Sequence, residues 1–185
     1  QAGDPLPGYK CFGGPGFAAT GLLGGWAPGN RPQVLPPGVG IRTTAGARMV
    51  MQIHYHPNGS AQTDHTRAGF FFAREPIQRD YLVLPLLNDT FVIPAGASRH
   101  TVTASFTTPL AARALSITPH MHLLGREIKV EAVSPNGARQ PLIYIDDWDF
   151  NWQDTYFFKE PTLISPFSRV ELTAVYDNSP ANPHN

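Results

Sequence analysis

Only one cysteine, Cys11, occurs in the chain, which excludes an internal disulfide. That thiol is left either as a small buried side chain or as half of a bridge whose partner lies outside the fragment. Charge is scarce and balanced. Fourteen basic and fourteen acidic side chains cancel to a formal net charge of zero over 185 residues, so there is no electrostatic footprint for nucleic acid or an anionic membrane surface. No apolar run approaches the roughly 20 residues that a bilayer-crossing helix needs, and no basic-then-apolar signal segment opens the chain. Helix of any length is disfavoured as well. The 17 glycines and 19 prolines are spread without a collagen-like period, the composition of short strands joined by many turns. The chain starts at Gln1 and ends in the turn-rich stretch from Asn178 to Asn185, and both ends read as cut.

What the chain does have is histidine at a telling spacing. Four of its seven histidines fall in two His-x-His pairs, His54-Tyr55-His56 and His120-Met121-His122. Alternate residues of an extended strand share a face, so His120 and His122 present two imidazoles side by side while Met121 turns to the opposite face. Neutral imidazole is the commonest protein ligand for copper, zinc, iron and nickel. A single such pair arises easily by chance; two of them, each at the end of an expected strand in a chain this poor in charge, point to metal.

Along the chain, residues 1–40 are dense in breakers, Gly13-Gly14-Pro15-Gly16 and Leu35-Pro36-Pro37-Gly38 among them, and predict ordered coil with Trp26 as a packing anchor. Strands are expected over 49–56, with Met49, Met51, Ile53 and Tyr55 on a core face and Val50, Gln52, His54 and His56 on the other, and over 67–73. His65 falls in the loop between them. The polar interval 74–80 is expected to be a linker, with further strands at 81–87, 91–96, 101–106, 114–118, 127–133 and 170–176 and a hairpin turn at Ser134-Pro135-Asn136-Gly137. Trp148, Phe150 and Trp152 alternate with polar residues and predict an aromatic core stripe. Asp146, Asp147 and Asp149 lack the glycine and distal glutamate of a calcium loop and read as a solvated face.

Gln52-Ile53-His54-Tyr55-His56, Ile93-Pro94-Ala95-Gly96 and His120-Met121-His122-Leu123-Leu124-Gly125, in this order, resemble the copper type II, ascorbate-dependent monooxygenases, the family of dopamine β-monooxygenase and peptidylglycine α-hydroxylating monooxygenase. The stretch from Asp147 to Asn178 is similar to the bacterial members. The resemblance implies an all-β fold of two antiparallel jelly-roll-like β-sandwich domains facing each other across a wet cleft, the first incomplete here and the second cut before its methionine ligand. Residues 1–73 would then be the C-terminal part of the N-terminal domain, 74–80 the linker and 81–185 the C-terminal domain. It further implies one copper that stores an electron on three histidines and one that binds dioxygen through two histidines and a methionine. On that pattern His54 matches the third ligand of the first copper, and His120 with His122 match the pair on the second. His56 has a counterpart that is not a ligand, and Gln52 matches a glutamine near the first copper.

The implied chemistry is hydroxylation of a C–H bond in a small organic substrate, with dioxygen as oxidant and ascorbate as electron donor, in a secreted or periplasmic protein. Imidazole with a soft thioether suits copper that must cycle between Cu(I) and Cu(II). The chain departs from the pattern in that no histidine precedes His54 and no methionine follows Met121. Where the peptide-processing branch has an arginine two residues before the pair, Thr118 stands here, which argues against a peptide with a free C-terminus as substrate. Two other readings fit part of the pattern. A single-metal cupin would use His120, His122 and Glu127 but leaves His54 unexplained, and a non-catalytic metal-binding β-sandwich module requires no second ligand set.

Overall fold

The computed structural model describes residues 8–11 and 13–185. Of the breaker-rich stretch 1–40, residues 1–7 and 12 therefore lie outside the described residues. The protein is all-β, with no helix among the described residues and so none long and apolar enough to cross a membrane. Its strands are β1 (Val39–Gly40), β2 (Arg79–Asp80), β3 (His100–Thr107), β4 (Ala112–Ile117), β5 (Gly125–Val133), β6 (Arg139–Ile145), β7 (Tyr156–Ile164) and β8 (Arg169–Tyr176). The chain divides into two compact units, one of Gln1–Gly25 with Gln33–Val83, the other of Trp26–Pro32 with Leu84–Asn185.

The second unit holds the regular sheets. One has the order β3-β8-β5-β6 and the other pairs β4 with β7, all antiparallel. Alternation decides which face is core: along β5, Ile128, Val130 and Ala132 are buried while Arg126 and Lys129 are exposed, as a sheet with one covered face requires. Val130, Ala132 and Val170 of the larger sheet pack with Ile164 of β7, and Ala114 and Ile117 of β4 join them. The two sheets thus close over a shared apolar layer, a sandwich-type arrangement. A second cluster, Met121, Ile128, Trp148 and Ala174, extends that layer under the His120-Met121-His122 segment.

The opposite face of the larger sheet carries a charge network. Glu131 of β5 lies directly across from Glu171 of β8, a like-charge pairing that would oppose the sheet by itself. Arg139 of the neighbouring β6 resolves it, with its guanidinium 3.0 Å from both carboxylates. Lys129 adds a contact to Glu131 at 2.9 Å, and Arg169 pairs with Glu171. Partial burial works to raise the Glu171 carboxyl, but the hydrogen bonds and charges of Arg169 and Arg139 outweigh it and hold the group below the usual carboxylate range.

Several expected strands hold. Those at 101–106, 114–118, 127–133 and 170–176 coincide with β3, β4, β5 and β8, and Ser134–Gly137 closes the β5–β6 hairpin, Gly137 N donating to Ser134 O at 2.8 Å. The strands expected at 49–56, 67–73, 81–87 and 91–96 do not form. The 49–56 sequence alternates and the other three carry apolar runs, but no described neighbour supplies the hydrogen-bonded ladder that would turn them into strands. Met49, Met51 and Tyr55, expected in a core, are more than half exposed, and Phe71 is fully so. Around 91–96 the chain instead makes a turn tied to the end of β8: Asn178 Nδ2 donates to the carbonyls of Ile93 and Pro94, and Gly96 N donates to Asn178 O.

In the first unit the regular pairing is short. β1 and β2 run parallel, Val39 opposite Arg79 and Gly40 opposite Asp80, and Arg42 reaches Asp80 at 3.3 Å. The polar interval 74–80 thus ends in a strand that is tied to residues 39–40, and the boundary between the units falls after Val83. Cys11 is exposed rather than buried, and Trp26 is exposed too, its indole donating to Asn30 O at 3.1 Å instead of filling a core.

The charge network has a pH signature. Because the Glu171 carboxyl is held low in the folded protein, its contribution to stability is present above the ordinary carboxylate pKa and fades as pH falls through the lowered value. Arg139→Ala should therefore lower the melting temperature most near neutral pH, and the gap to the parent should narrow below about pH 4 as the Glu171 carboxylate protonates. Thermal melts at the two pH values check this; an equal loss at both would mean Arg139 acts through packing alone.

Candidate metal centre

The segment Thr118–Leu124 leaves β4 and enters β5 without joining a sheet, yet from Thr118 to His122 it keeps the two-residue alternation of an extended chain. Pro119 and Met121 are buried, while Thr118, His120 and His122 are exposed. Met121 is what sets this phase. Its side chain is 2% exposed, packed with Ile128, Trp148 and Ala174, and with it held inward both imidazoles must project outward. Their ring centroids are 5.1 Å apart and their planes nearly perpendicular at 84°. Burial also keeps the Met121 thioether away from any metal that the exposed rings would hold.

A tight turn then brings the chain into β5. Gly125 N donates to His122 O at 2.9 Å, and the space beside Gly125 is already full. A Cβ there would stand 2.7 Å from Met121 Cε, 2.9 Å from Trp148 Cδ1 and 3.0 Å from His122 O. Glycine is needed here for close approach: the methionine, the tryptophan and the carbonyl of a candidate ligand converge on the missing side chain.

The loop between β6 and β7 faces the same segment. Trp148 is buried, 8% exposed, with its backbone N–H on Arg126 O at 2.9 Å and its indole N–H without a hydrogen-bond partner among the described residues. Phe150 lies edge-on to His122 with ring centroids 6.4 Å apart. Trp152 is exposed, so the expected aromatic stripe is divided among core, site wall and solvent. Thr155 and Thr118 share a hydroxyl contact of 2.9 Å, and Asp154 accepts from Asn30 Nδ2 at 2.9 Å. Gln153 reaches His120 directly: its Oε1 is 2.5 Å from Nδ1.

The other candidate residues lie elsewhere. His54 and His56 sit in an irregular, exposed part of the first unit, together with Gln52, whose amide is 3.4 Å from Cys11 Sγ. Between the two histidines Tyr55 donates to Asp64 at 2.6 Å, and that bond, with help from Thr66, holds the Asp64 carboxyl low. Glu127, which a cupin would need beside the two imidazoles, is engaged by Arg99 at 2.7 Å; that hydrogen bond first, then the charges of Arg99 and Arg126, keep its carboxyl low against partial burial. Among the described residues no group of three or more His, Cys, Asp or Glu side chains converges on one point. The cupin triad is therefore not assembled, whereas the His120 and His122 pair is. A two-imidazole donor set fits Cu(I), which accepts two-coordinate geometry, better than zinc, whose protein sites take three or four ligands.

Gln153 and Phe150 were not singled out in the sequence as parts of a site. Gln153 lies 33 residues beyond His120 with no spacing rule to connect them.

Gly125→Ala should destabilise the second unit by about 1–3 kcal/mol, the usual cost of forcing an extra group into filled space. It should also shift the His120 and His122 ring signals in an NMR spectrum, because the added methyl pushes on Met121 and on the His122 carbonyl. Unchanged ring signals would contradict the coupling between the glycine and the pair.

Comparison with known proteins gives one relative of note. No family model matches the chain, and no solved structure matches it. The chain is similar to MOXD1 homolog 1 of Drosophila melanogaster, 26% identical over 158 residues that cover 76% of this chain and 22% of that protein, so it spans about a fifth of the length of the curated relative it matches.

Proposed function

We propose that this chain is part of a copper-dependent monooxygenase that hydroxylates a C–H bond of a small organic substrate, with dioxygen as oxidant and ascorbate as reductant. The observation that carries the reading is the pair of exposed imidazoles, His120 and His122, set 5.1 Å apart by a buried methionine. The similarity to MOXD1 homolog 1 supports the same direction. Copper at this position would supply one-electron redox chemistry and open coordination positions for dioxygen.

The chain's own residues have separate tasks. His120 and His122 donate ring nitrogens; Phe150 places an aromatic ring edge-on to His122. Thr118, on the same exposed face and bonded to Thr155, offers a neutral hydroxyl where a substrate would approach. That favours a substrate without a carboxylate at this point. His54 is proposed as a ligand of the electron-storing copper in the longer protein; its ring is exposed in this chain and belongs to no group of three or more metal-ligating side chains among the described residues.

Because the pair supplies two donors and no third, the chain alone is proposed to bind copper without turning over, which is also how the non-catalytic module reading would look. The two part company in the longer protein. Oxygen uptake that requires both added copper and ascorbate is expected there, and turnover that persists without metal would overturn the assignment. For the chain itself, a Cys11→Ser form should be used, since an exposed thiol competes for Cu(I). Titration against a competing chelator without oxygen should find one equivalent of Cu(I), absent from the His120→Ala/His122→Ala variant. Equal binding by both would place the metal elsewhere.

A further inference from the structure

Gln153 carries information that the pair itself does not. The two ends of its amide have different partners, and the partners identify the ends. Its Nε2 lies 2.7 Å from the backbone carbonyl oxygen of Phe150, and a carbonyl can only accept, so this end must be the NH2 group. The opposite end, facing His120, is therefore the amide oxygen, 2.5 Å from Nδ1. An amide oxygen has no hydrogen to give. Nδ1 must be the donor, and in the neutral ring the lone pair is then on Nε2. Free neutral histidine prefers the opposite arrangement, with hydrogen on Nε2, so the preference is reversed by this one contact.

The loop that presents Gln153 is built to hold it still. Asp149 Oδ1 accepts from Asn151 N at 2.8 Å and Trp152 N donates to Asp149 O at 3.0 Å. On the other side Asp154 accepts both its neighbour Thr155 N and Asn30 Nδ2, and Thr155 touches Thr118. Gln153 is thus fixed between two anchored positions, as an orienting residue for a ligand has to be.

We infer that Gln153 is a positioning residue that holds His120 in the Nδ1–H tautomer and so presents Nε2 as the metal-binding atom. The purpose assigned to it rests on the copper reading above; the tautomer does not, and can be measured without metal. Long-range proton–nitrogen NMR on the metal-free chain with nitrogen-15 histidine, recorded at about pH 8 where a free imidazole is neutral, distinguishes the ring nitrogens, and a His120→Asn variant assigns the signal. The parent should show a protonated Nδ1 and an unprotonated Nε2 for His120. Gln153→Leu should revert the ring to Nε2–H and weaken Cu(I) binding roughly 10- to 100-fold, with His122 unchanged. Gln153→Glu, which keeps an acceptor for Nδ1–H, should restore the tautomer and most of the affinity.

A parent His120 with its hydrogen on Nε2 overturns the inference, whether or not the variants fold, and so does a Gln153→Leu ring that stays Nδ1–H. If the parent shows the Nδ1–H tautomer but takes up no Cu(I), the orienting role stands and the copper reading fails.

Discussion

Everything about the candidate centre depends on the burial of Met121. A buried thioether between two exposed imidazoles is a phase lock: the extended chain can place alternate residues on only one of two faces, and the apolar cluster of Ile128, Trp148 and Ala174 has taken Met121. The two rings need no partner of their own to stay outward, because turning either inward would bring Met121 out of the core. Large-to-small changes at such a site typically cost about 2–5 kcal/mol, so the lock is strong compared with any single hydrogen bond nearby. Gly125 is the complementary half of the device, since it gives the methionine room four residues later in the chain.

Around that lock the sandwich supplies reach. β4 delivers the pair, β5 carries the chain away from it, and the loop between β6 and β7 returns with Phe150, Gln153 and Thr155 to the same place. None of these three is near the pair in sequence. Antiparallel sheets bring such distant segments together cheaply because their loops all collect at sheet ends, while the rigid ladders keep the loop ends in register. The same topology leaves the far face of the larger sheet to the Arg139, Glu131 and Glu171 network, well separated in role from the histidines.

The alternation rule found the inward Met121 and outward His120 and His122 from sequence, and it located β3, β5 and β8, because those segments have both an apolar face and a partner to cover it. It failed at 49–56, whose pattern is just as regular but whose apolar side chains stay exposed, and the expected strand at 67–73 likewise leaves Phe70, Phe71 and Phe72 exposed. Periodicity states a preference; a strand also needs a neighbour. It missed β6 and β7 for the opposite reason. Each contains a proline, Pro141 and Pro161, which reads as a breaker. β6 accommodates its proline on the edge of the four-stranded sheet, and each of the two pairings shows a register shift, at Val130/Glu131 and at Ala114/Ser116. Gln153 was invisible for a further reason: an orienting residue is defined by whom it meets, and only the fold brings it to His120.

The central claim is that the pair offers two imidazole nitrogens and no sulfur, the methionine between them being structural. X-ray absorption at the copper edge of the Cu(I)-loaded Cys11→Ser chain tests this most directly. The account predicts a low-coordinate site whose inner sphere is fitted by nitrogen alone, with the imidazole ring scattering of two histidines. A sulfur scatterer at bonding distance that persists when the exposed Met49 and Met51 are replaced by leucine would contradict it, because Met121 would then have left the core to become a ligand.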